Sequence, residues 1–318
     1  MPYECTICPL SNNRYEIAEG PFYDRKSNKL YIVDYFKGNV VCFDLQNDTI
    51  TSRSVIVDGH TTFVIPFDDQ SNRLLVSKVT KDKSSICEFN FETSDTKELE
   101  SLDKSLRTTL NDAKCDSIGR LWTGSIGIPT EGLNFPDGRG SMYSYDGKKL
   151  INHIGGITAS NGISWSPDEK TMYFIDTLSY KIFSCDFDLM NGTIDNKQMI
   201  FDYKTDFEQP TVTGSIDEGP DGMAIDIDGN LWVASFSGGR ILHLDPRSKT
   251  LIDYIQMPVP NITSICFGGD DMTTMYVTSG YWSLSDEKRK QYPDSGAVFE
   301  VKLNKRIVGV ENVRFRTC

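Results

Sequence analysis

A six-fold internal repeat constrains this chain more than any other feature of its sequence. Each repeat begins at a turn, continues with an apolar pair that opens a β-rich strand, breaks at polar residues and resumes as a second alternating strand. The pairs recur every 44 to 59 residues: Leu30-Tyr31, Leu74-Leu75, Leu121-Trp122, Met172-Tyr173, Leu231-Trp232 and Met275-Tyr276. Alternation with period two is typical of half-buried strands. Repeats of this length made of short strands are typical of propeller blades. The sequence therefore predicts an all-β, six-bladed β-propeller.

The 318 residues are enough to bury a large core, and we expect a single domain over residues 1–318. A repeat of three to four strands cannot cover both of its faces alone, so the repeats should pack as a ring. A pair of β-sandwiches is the alternative, but it predicts no regular period.

We expect the ring to close where residues before Ile17 meet residues 308–316. Predicted loops over one end of the central channel are residues 93–105, 125–139 and 283–294.

Charge and apolar patterning restrict the partners. Asp and Glu outnumber Lys and Arg by 45 to 33, giving a net charge of −12, which disfavours binding to nucleic acid or an anionic membrane. No apolar run is long enough for a membrane helix, and the N-terminus does not resemble a signal peptide. We expect a cytoplasmic monomer that acts on a small molecule. The eight cysteines, including the lone Cys5-x-x-Cys8 pair, are then predicted to be free thiols.

The repeat phase selects four polar residues. The segment before each apolar pair should contain the innermost strand of its blade, which lines the channel. Counting back eleven or twelve residues from the second member of each pair gives Glu19, Asn111, Asn161 and Asp221 in blades one, three, four and five. In blades two and six the equivalent regions are Phe63-Val64 and Ser264-Ile265.

These four side chains supply only oxygen ligands, the kind that Ca²⁺ and Mg²⁺ prefer, and two negative charges match one divalent cation. Glycine follows three of them, at positions 20, 162 and 222, where the backbone can turn sharply or approach a neighbour closely. Each residue taken alone could be an ordinary turn residue. Their agreement in phase across four repeats favours a shared site, and a cation would remove the repulsion between the two carboxylates.

The sequence lacks the residues and motifs that several other catalytic and binding sites require. His60, His153 and His243 are the only histidines, and none is in phase with the four positions, so a zinc site or a Ser-His-Asp hydrolase is disfavoured. His243 is predicted to lie on a strand surface. No G-x-S-x-G, G-x-G-x-x-G, Walker or EF-hand motif is present.

Several segments around these positions resemble the regucalcin (senescence marker protein 30) and gluconolactonase family, which includes the luciferin-regenerating enzyme. The segments are EGPFYD, LNDAKCDSIGRLWTG, SNGISWSPDEKTMYFIDTLSY and PDGMAIDIDGNLWVASFSGGRI, beginning at Glu19, Leu110, Ser160 and Pro220. The resemblance implies a six-bladed propeller with a Ca²⁺ ion that Zn²⁺, Mn²⁺ or Mg²⁺ can replace. The family's metal ligands fall on Glu19, Asn161 and Asp221. Its substrate-contacting asparagine falls on Asn111, beside Asp112.

Two positions depart from the family pattern. The family has an arginine two residues before the substrate asparagine, and this chain has Thr109 there, with Arg107 as the nearest arginine. Some members use a glutamate in the following loop to hold sugar hydroxyls; the matching position is about Pro129, with Glu131 close by. The metal site is thus retained while the residues that recognise a sugar are altered.

Together these features predict a Ca²⁺-dependent hydrolase of small lactones. The metal would polarise the carbonyl, Asp221 would act as general base, and Asn111, Asp112 and Thr109 would contact the substrate. The alternative is a calcium-binding regulatory protein with weak or different hydrolase activity, such as luciferin regeneration. A propeller used only as a protein-interaction scaffold is a third reading, but it gives no reason for four oxygen ligands in phase.

Overall fold

The computed structural model describes residues 2–69, 72–129, 135–207 and 218–317. Within them, strands form six four-stranded sheets, all paired antiparallel. The chain opens with β1 (Cys5–Pro9). Blade one is β2 (Ala18–Asp24), β3 (Lys29–Asp34), β4 (Asn39–Asp44) and β5 (Thr49–Ser54). Blade two is β6 (Val64–Pro66), β7 (Arg73–Val79), β8 (Ser84–Asn90) and β9 (Thr96–Ser101). Blade three is β10 (Thr108–Cys115), β11 (Leu121–Gly127), β12 (Gly140–Tyr145) and β13 (Leu150–Ile157).

The second half of the chain repeats this order. Blade four is β14 (Ser160–Trp165), β15 (Thr171–Asp176), β16 (Lys181–Asp188) and β17 (Thr193–Asp202). Blade five is β18 (Gly219–Ile225), β19 (Leu231–Phe236), β20 (Arg240–Asp245) and β21 (Thr250–Gln256). Blade six is β22 (Ile262–Gly268), β23 (Thr274–Ser279) and β24 (Phe299–Leu303), completed by β1. The described helices are one short α-helix, α1 (Asp286–Gln291), and 3-10 turns at Lys104–Leu106 and Thr177–Ser179.

The apolar pairs of the repeat form the second strand of each blade. Trp122 on β11 and Trp232 on β19 have no accessible surface, and the other pairs are buried as well. These strands bury both faces because neighbouring blades pack against each side. The innermost strands lie next to one another around the ring, with β10, β14, β18, β22 and β2 in successive contact. The predicted six-bladed propeller is therefore confirmed.

The ring closes differently from the prediction at its C-terminal end. β1 pairs with β24 from Cys5 opposite Leu303 to Pro9 opposite Phe299, so the N-terminal strand covers an edge that would otherwise expose unpaired backbone groups. Residues 308–316 instead cross the end of the channel where the innermost strands finish. There Phe315 bridges Phe67, and Arg314 makes a bidentate ion pair with Asp24 at 2.9 and 2.6 Å.

Two of the predicted loops contain secondary structure. Residues 93–105 include β9, and residues 283–294 include α1, which begins after the Ser285 cap. Residues 125–139 lie only partly within the described part of the chain. No helix among the described residues is long and apolar enough to cross a membrane. The cysteines at positions 5, 8, 42, 87, 185 and 266 are free thiols, as predicted.

Candidate functional site

Each of the four selected residues lies at a β-bulge in the innermost strand of its blade. The register between the first two strands shifts between Glu19 and Phe22 in blade one, and the same shift recurs around Asn111, Asn161 and Asp221. A bulge leaves its residues unpaired and redirects their side chains. The same irregularity in four blades therefore turns four polar side chains to the channel at one level, which we call the mouth end because the innermost strands begin there.

The glycines that follow these residues let neighbouring blades approach. A Cβ on Gly162 would lie 2.9 Å from the Asp221 carbonyl oxygen of blade five, and one on Gly222 would lie 2.6 Å from the Cα of Ser264 in blade six. Gly20 has a φ of +54° and abuts the backbone at Phe63. The glycines therefore serve both purposes expected from the sequence, close backbone approach and a left-handed turn.

The carboxylates of three blades lie close enough to repel one another. Burial and the charges of Asp221 and Asp112 raise the pKa of Glu19 well above its usual value. Burial and the charge of Asp112 do the same to the pKa of Asp221. Burial also raises the pKa of Asp112, although nearby Lys114 opposes that rise. Three acidic groups thus converge in an environment that disfavours their charge unless a cation joins them.

The two amides form a hydrogen-bonded chain between the carboxylates. Asn111 Nδ2 donates to Asn161 Oδ1 and to the Ser160 carbonyl, both at 2.8 Å. Asn161 Nδ2 donates to Thr177 Oγ1 at 2.7 Å, and that hydroxyl donates to the Pro220 carbonyl at 2.7 Å, one residue before Asp221. Since the Thr177 proton is committed to Pro220, its oxygen must accept from Asn161, which fixes the orientation of the Asn161 amide.

Threonines take the equivalent place in the two blades without an acidic or amide residue. Thr62 Oγ1 of blade two donates to the Asn111 carbonyl at 2.9 Å. Thr263 Oγ1 of blade six donates to the Ala18 carbonyl at 2.6 Å, beside Glu19. Each lies one residue before the region that the repeat phase had marked. These hydroxyls tie their blades to the bulges that carry candidate ligands, although they supply no ligand themselves.

Lys114 is a channel residue that the sequence analysis missed. Its Nζ donates to the Met223 carbonyl at 2.9 Å, and burial lowers the pKa of its ammonium while Asp112 opposes that shift. Lys114 and Asp112 lie two apart on β10, so strand alternation was the signal that could have found it. Its positive charge offsets one of the three converging carboxylates, which leaves two negative charges for a cation.

The predicted substrate contacts lie along β10. Thr109 is half-buried and precedes Asn111 by two residues on β10. Arg107 is exposed at the left-handed residue that ends the 3-10 turn Lys104–Leu106 (φ 52°). Pro129 is half-buried at the mouth end, and Glu131 lies outside the described residues.

The prediction for His243 was wrong. This histidine is 2% exposed, stacks on Trp232 at 3.9 Å between ring centroids, and has its Nε2 3.1 Å from Asp226 Oδ2. His153 stacks in the same way on Trp122 at 4.7 Å. Both histidines support the blades, away from the four candidate residues, as the shortage of in-phase histidine implied.

The donor set fits a hard cation. Within the described ranges, no group of three His, Cys, Asp or Glu side chains is arranged to hold a metal ion by itself. A cation between Glu19 and Asp221 would therefore need an amide oxygen as a third ligand, and Asn161 carries one whose orientation is fixed. Two carboxylates with amide and water oxygens suit Ca²⁺ or Mg²⁺ better than Zn²⁺, which favours His and Cys.

Comparison with known proteins gives the family. Residues 17–281 match the family described as SMP-30/Gluconolactonase/LRE-like region. The chain belongs to this family. Among its relatives, regucalcin of Bos taurus is 32% identical over 296 residues, which cover 92% of this chain and 93% of that protein. This confirms the resemblance recognised in the sequence.

Solved structures show the same fold. A luciferin-regenerating enzyme superposes with a TM-score of 0.86 and 28% identity, covering 98% of this chain and all of the enzyme. XC5397 of Xanthomonas campestris, described as a gluconolactonase, superposes with a TM-score of 0.65 and 18% identity over 94% of this chain and 90% of that one. At that identity the second comparison supports the fold alone. Membership of the SMP-30/gluconolactonase family supports a lactonase-type function.

Proposed function

We propose that this protein is a divalent-cation-dependent hydrolase of small lactones. Glu19, Asn161 and Asp221 hold the cation, with Ca²⁺ as the first choice and Zn²⁺, Mn²⁺ or Mg²⁺ as replacements. The observation that supports this most is the convergence of Glu19 and Asp221, from blades one and five. Burial and neighbouring negative charge disfavour the ionised form of both side chains. The reading of the chain as a cytoplasmic monomer stays a prediction from the sequence.

The side chains around the cation have separate roles in the proposed reaction. A bound cation would polarise the lactone carbonyl and stabilise negative charge on its oxygen. Asp221 takes a proton from the attacking water, since a carboxylate beside that water can act as a general base. Asn111 and Asp112 contact the substrate, and Thr109 lies two residues further toward the mouth. Lys114 offsets the charge of Asp112 from below.

The test is hydrolysis of a lactone panel with and without a chelator, followed by return of Ca²⁺. Wild type should lose activity with chelator and regain it with Ca²⁺. Asp221→Ala should lower kcat/KM by about 100-fold or more, the scale of a lost electrostatic contribution to the transition state. Asp195→Ala, at an exposed carboxylate on β17, serves as the control and should behave as wild type. Full activity in Asp221→Ala would discard the assignment of the base.

The second candidate is a calcium-binding regulatory protein with weak or different hydrolase activity, such as luciferin regeneration. The replacement of the family arginine by Thr109 and the kinship with proteins named regucalcin favour it. The same experiment separates the two. Ca²⁺ binding by calorimetry that depends on Glu19 and Asp221, without turnover of any lactone, would favour the regulatory function.

A further inference from the structure

Four aromatic side chains from three blades gather at the mouth end of the channel. We call them the aromatic wall: Tyr35 and Phe36 in the turn between β3 and β4, Phe236 at the end of β19, and Trp282 after β23. The Phe36 ring lies 5.0 Å from Tyr35 and 6.0 Å from Trp282, centroid to centroid, and Phe236 lies 6.4 Å from Trp282. The wall is therefore continuous from blade one through blade six to blade five.

Backbone contacts attach the wall to the candidate ligands. Tyr35 N–H donates to the Ile17 carbonyl at 3.0 Å, and Trp282 N–H donates to the Glu16 carbonyl at 2.9 Å, so both rings are attached to the segment that leads into Glu19. Phe236 pairs with Gly219, two residues before Asp221. Burial, with a smaller contribution from the charge of Glu19, raises the pKa of the Tyr35 hydroxyl. The aromatic wall is therefore adjacent to the candidate cation site.

The rings are held in place but are only partly covered. Phe36 is 40% exposed, and Tyr35, Phe236 and Trp282 are half-buried, unlike the core rings of the blades. Tyr35 stacks on His60 at 4.7 Å and 17°. Burial lowers the pKa of His60 to about 4, so that imidazole is neutral near pH 7. The Trp282 carbonyl accepts from Nδ2 of fully buried Asn261 at 2.9 Å. Such preformed apolar surface binds flat rings at low entropic cost.

We infer that the aromatic wall binds the non-reacting part of the substrate as a flat aromatic ring, so that the preferred substrates are aryl-fused or aryl-substituted lactones. This inference rests on the proposed lactone hydrolysis. A polyhydroxylated sugar lactone would gain less from this wall, because any of its hydroxyls that lose water beside apolar rings without gaining a partner are costly. The presence of Thr109 in place of the family arginine supports the same inference, since threonine cannot offer the charged hydrogen bonds of a guanidinium.

Dihydrocoumarin is a suitable probe because its six-membered lactone ring is fused to a benzene ring. Water adds to the acyl carbon, the bond from that carbon to the aryl oxygen breaks, and the phenolic oxygen takes a proton. The product is 3-(2-hydroxyphenyl)propanoate, whose carboxyl group releases the second proton of the water to solvent, with no oxidant or other reactant needed. δ-Valerolactone has the same lactone ring without the aryl group, and glucono-δ-lactone carries hydroxyls instead. Rates are compared with the uncatalysed rate of each lactone in the same buffer.

Wild type should accelerate dihydrocoumarin hydrolysis more than that of the other two lactones. Trp282→Ala and Phe36→Ala should each lower kcat/KM for dihydrocoumarin about 10-fold, mainly through KM, because ring stacking and burial are lost. Both variants should leave δ-valerolactone within about 2-fold, and Trp282→Phe should restore part of the loss. Phe183→Ala, which removes a half-buried ring on β16 of blade four, is the matched control. Circular dichroism checks that each variant is folded.

A binding measurement separates this inference from the proposed hydrolysis. The lactam 3,4-dihydro-2-quinolinone has the shape of dihydrocoumarin and resists hydrolysis, so its affinity can be measured by calorimetry without turnover. Binding that Trp282→Ala weakens, in a protein that hydrolyses no lactone, would support the wall and reject the hydrolase. Preference for glucono-δ-lactone, or dihydrocoumarin kinetics unchanged by Trp282→Ala, would overturn the inference and leave the hydrolase standing. Absence of both lactam binding and dihydrocoumarin turnover would also overturn it.

Discussion

Asn111 Nδ2 donates a hydrogen bond to Asn161 Oδ1 at 2.8 Å, across the boundary between blades three and four. This contact uses one of the two amide protons of Asn111, and the Ser160 carbonyl accepts the other. Both amide protons of Asn111 are therefore engaged, and its oxygen is the atom left to interact with a ligand. Thr177 fixes the opposite side of Asn161, so the two amides are oriented before any cation or substrate arrives.

Removal of the Thr177 hydroxyl should loosen this arrangement. Thr177→Val keeps the shape of the side chain but leaves Asn161 Nδ2 without its acceptor, so the amide can rotate. Loss of a partner that orients a ligand typically costs 10–100-fold in metal affinity, and we expect Ca²⁺ affinity by calorimetry to fall about 10-fold. Thr61→Val is the control, because its buried hydroxyl also donates to a backbone carbonyl, that of Ser77 at 2.7 Å, but contacts no candidate ligand. Equal affinity in Thr177→Val and wild type would argue against Asn161 as a ligand.

Relief of carboxylate repulsion should stabilise the metal-free protein. Glu19→Gln removes one of the charges that burial and the neighbouring Asp221 and Asp112 disfavour. We expect its free energy of unfolding in chelator to rise by about 0.5–2 kcal/mol, in the range of other stabilising substitutions. Added Ca²⁺ should raise the melting temperature of wild type but hardly that of Glu19→Gln, because a ligand stabilises only the state that binds it. Scanning calorimetry measures both. A destabilised Glu19→Gln would show that the carboxylates do not oppose each other.

Stability and Ca²⁺ affinity should respond to pH in opposite directions. The pKa values of Glu19 and Asp221 are raised in the folded protein, so between about 4, the usual carboxyl value, and the raised values the folded state holds protons that the unfolded chain has released. In metal-free protein their stabilising contribution is complete below that window and is lost as pH rises through it. Ca²⁺ needs both groups ionised, so its affinity should increase over the same window.

The comparison that isolates these two groups uses the double variant Glu19→Gln, Asp221→Asn. The free energy of unfolding is measured with denaturant in chelator from pH 4 to 9 for wild type and the double variant. The value for wild type should fall relative to that of the double variant as pH rises. A difference that does not change with pH would mean that the two carboxylates titrate alike in the folded and unfolded states.

The repeat made the fold and the level of the site predictable. Each blade is one four-stranded unit, so a shared position in the repeat is a shared position in space. That is why Glu19 and Asp221, more than 200 residues apart in sequence, could be placed near one another. The family resemblance then suggested their roles. The pairing of β1 with β24 was only half predicted, since the partner of an edge strand depends on which segment reaches it.

Side chains within the blades were less predictable. His243 lies on β20, where alternation suggests a surface position, yet five of the six residues of that strand are buried. Neighbouring blades cover both faces of each sheet, so period two no longer separates inside from outside. Thr177 lies in a 3-10 turn outside the repeat phase, and its contact with Asn161 could not be read from spacing. The aromatic wall likewise comes from turns and a strand end of three blades, whose convergence only the folded ring shows.

Close packing between blades at the bulges gives the last prediction. A Cβ added at Gly222 would lie 2.1 Å from Ser264 Oγ and 2.6 Å from its Cα, so blades five and six would have to separate. We expect Gly222→Ala to destabilise the protein by about 1–3 kcal/mol, the usual cost of overpacking, and to weaken Ca²⁺ binding because Asp221 moves with its neighbour. Gly155→Ala on β13 is the control, since its added Cβ would approach only Ser141 Oγ, at 3.7 Å. Equal stability of the two variants by denaturant unfolding would mean that the bulge can shift without strain.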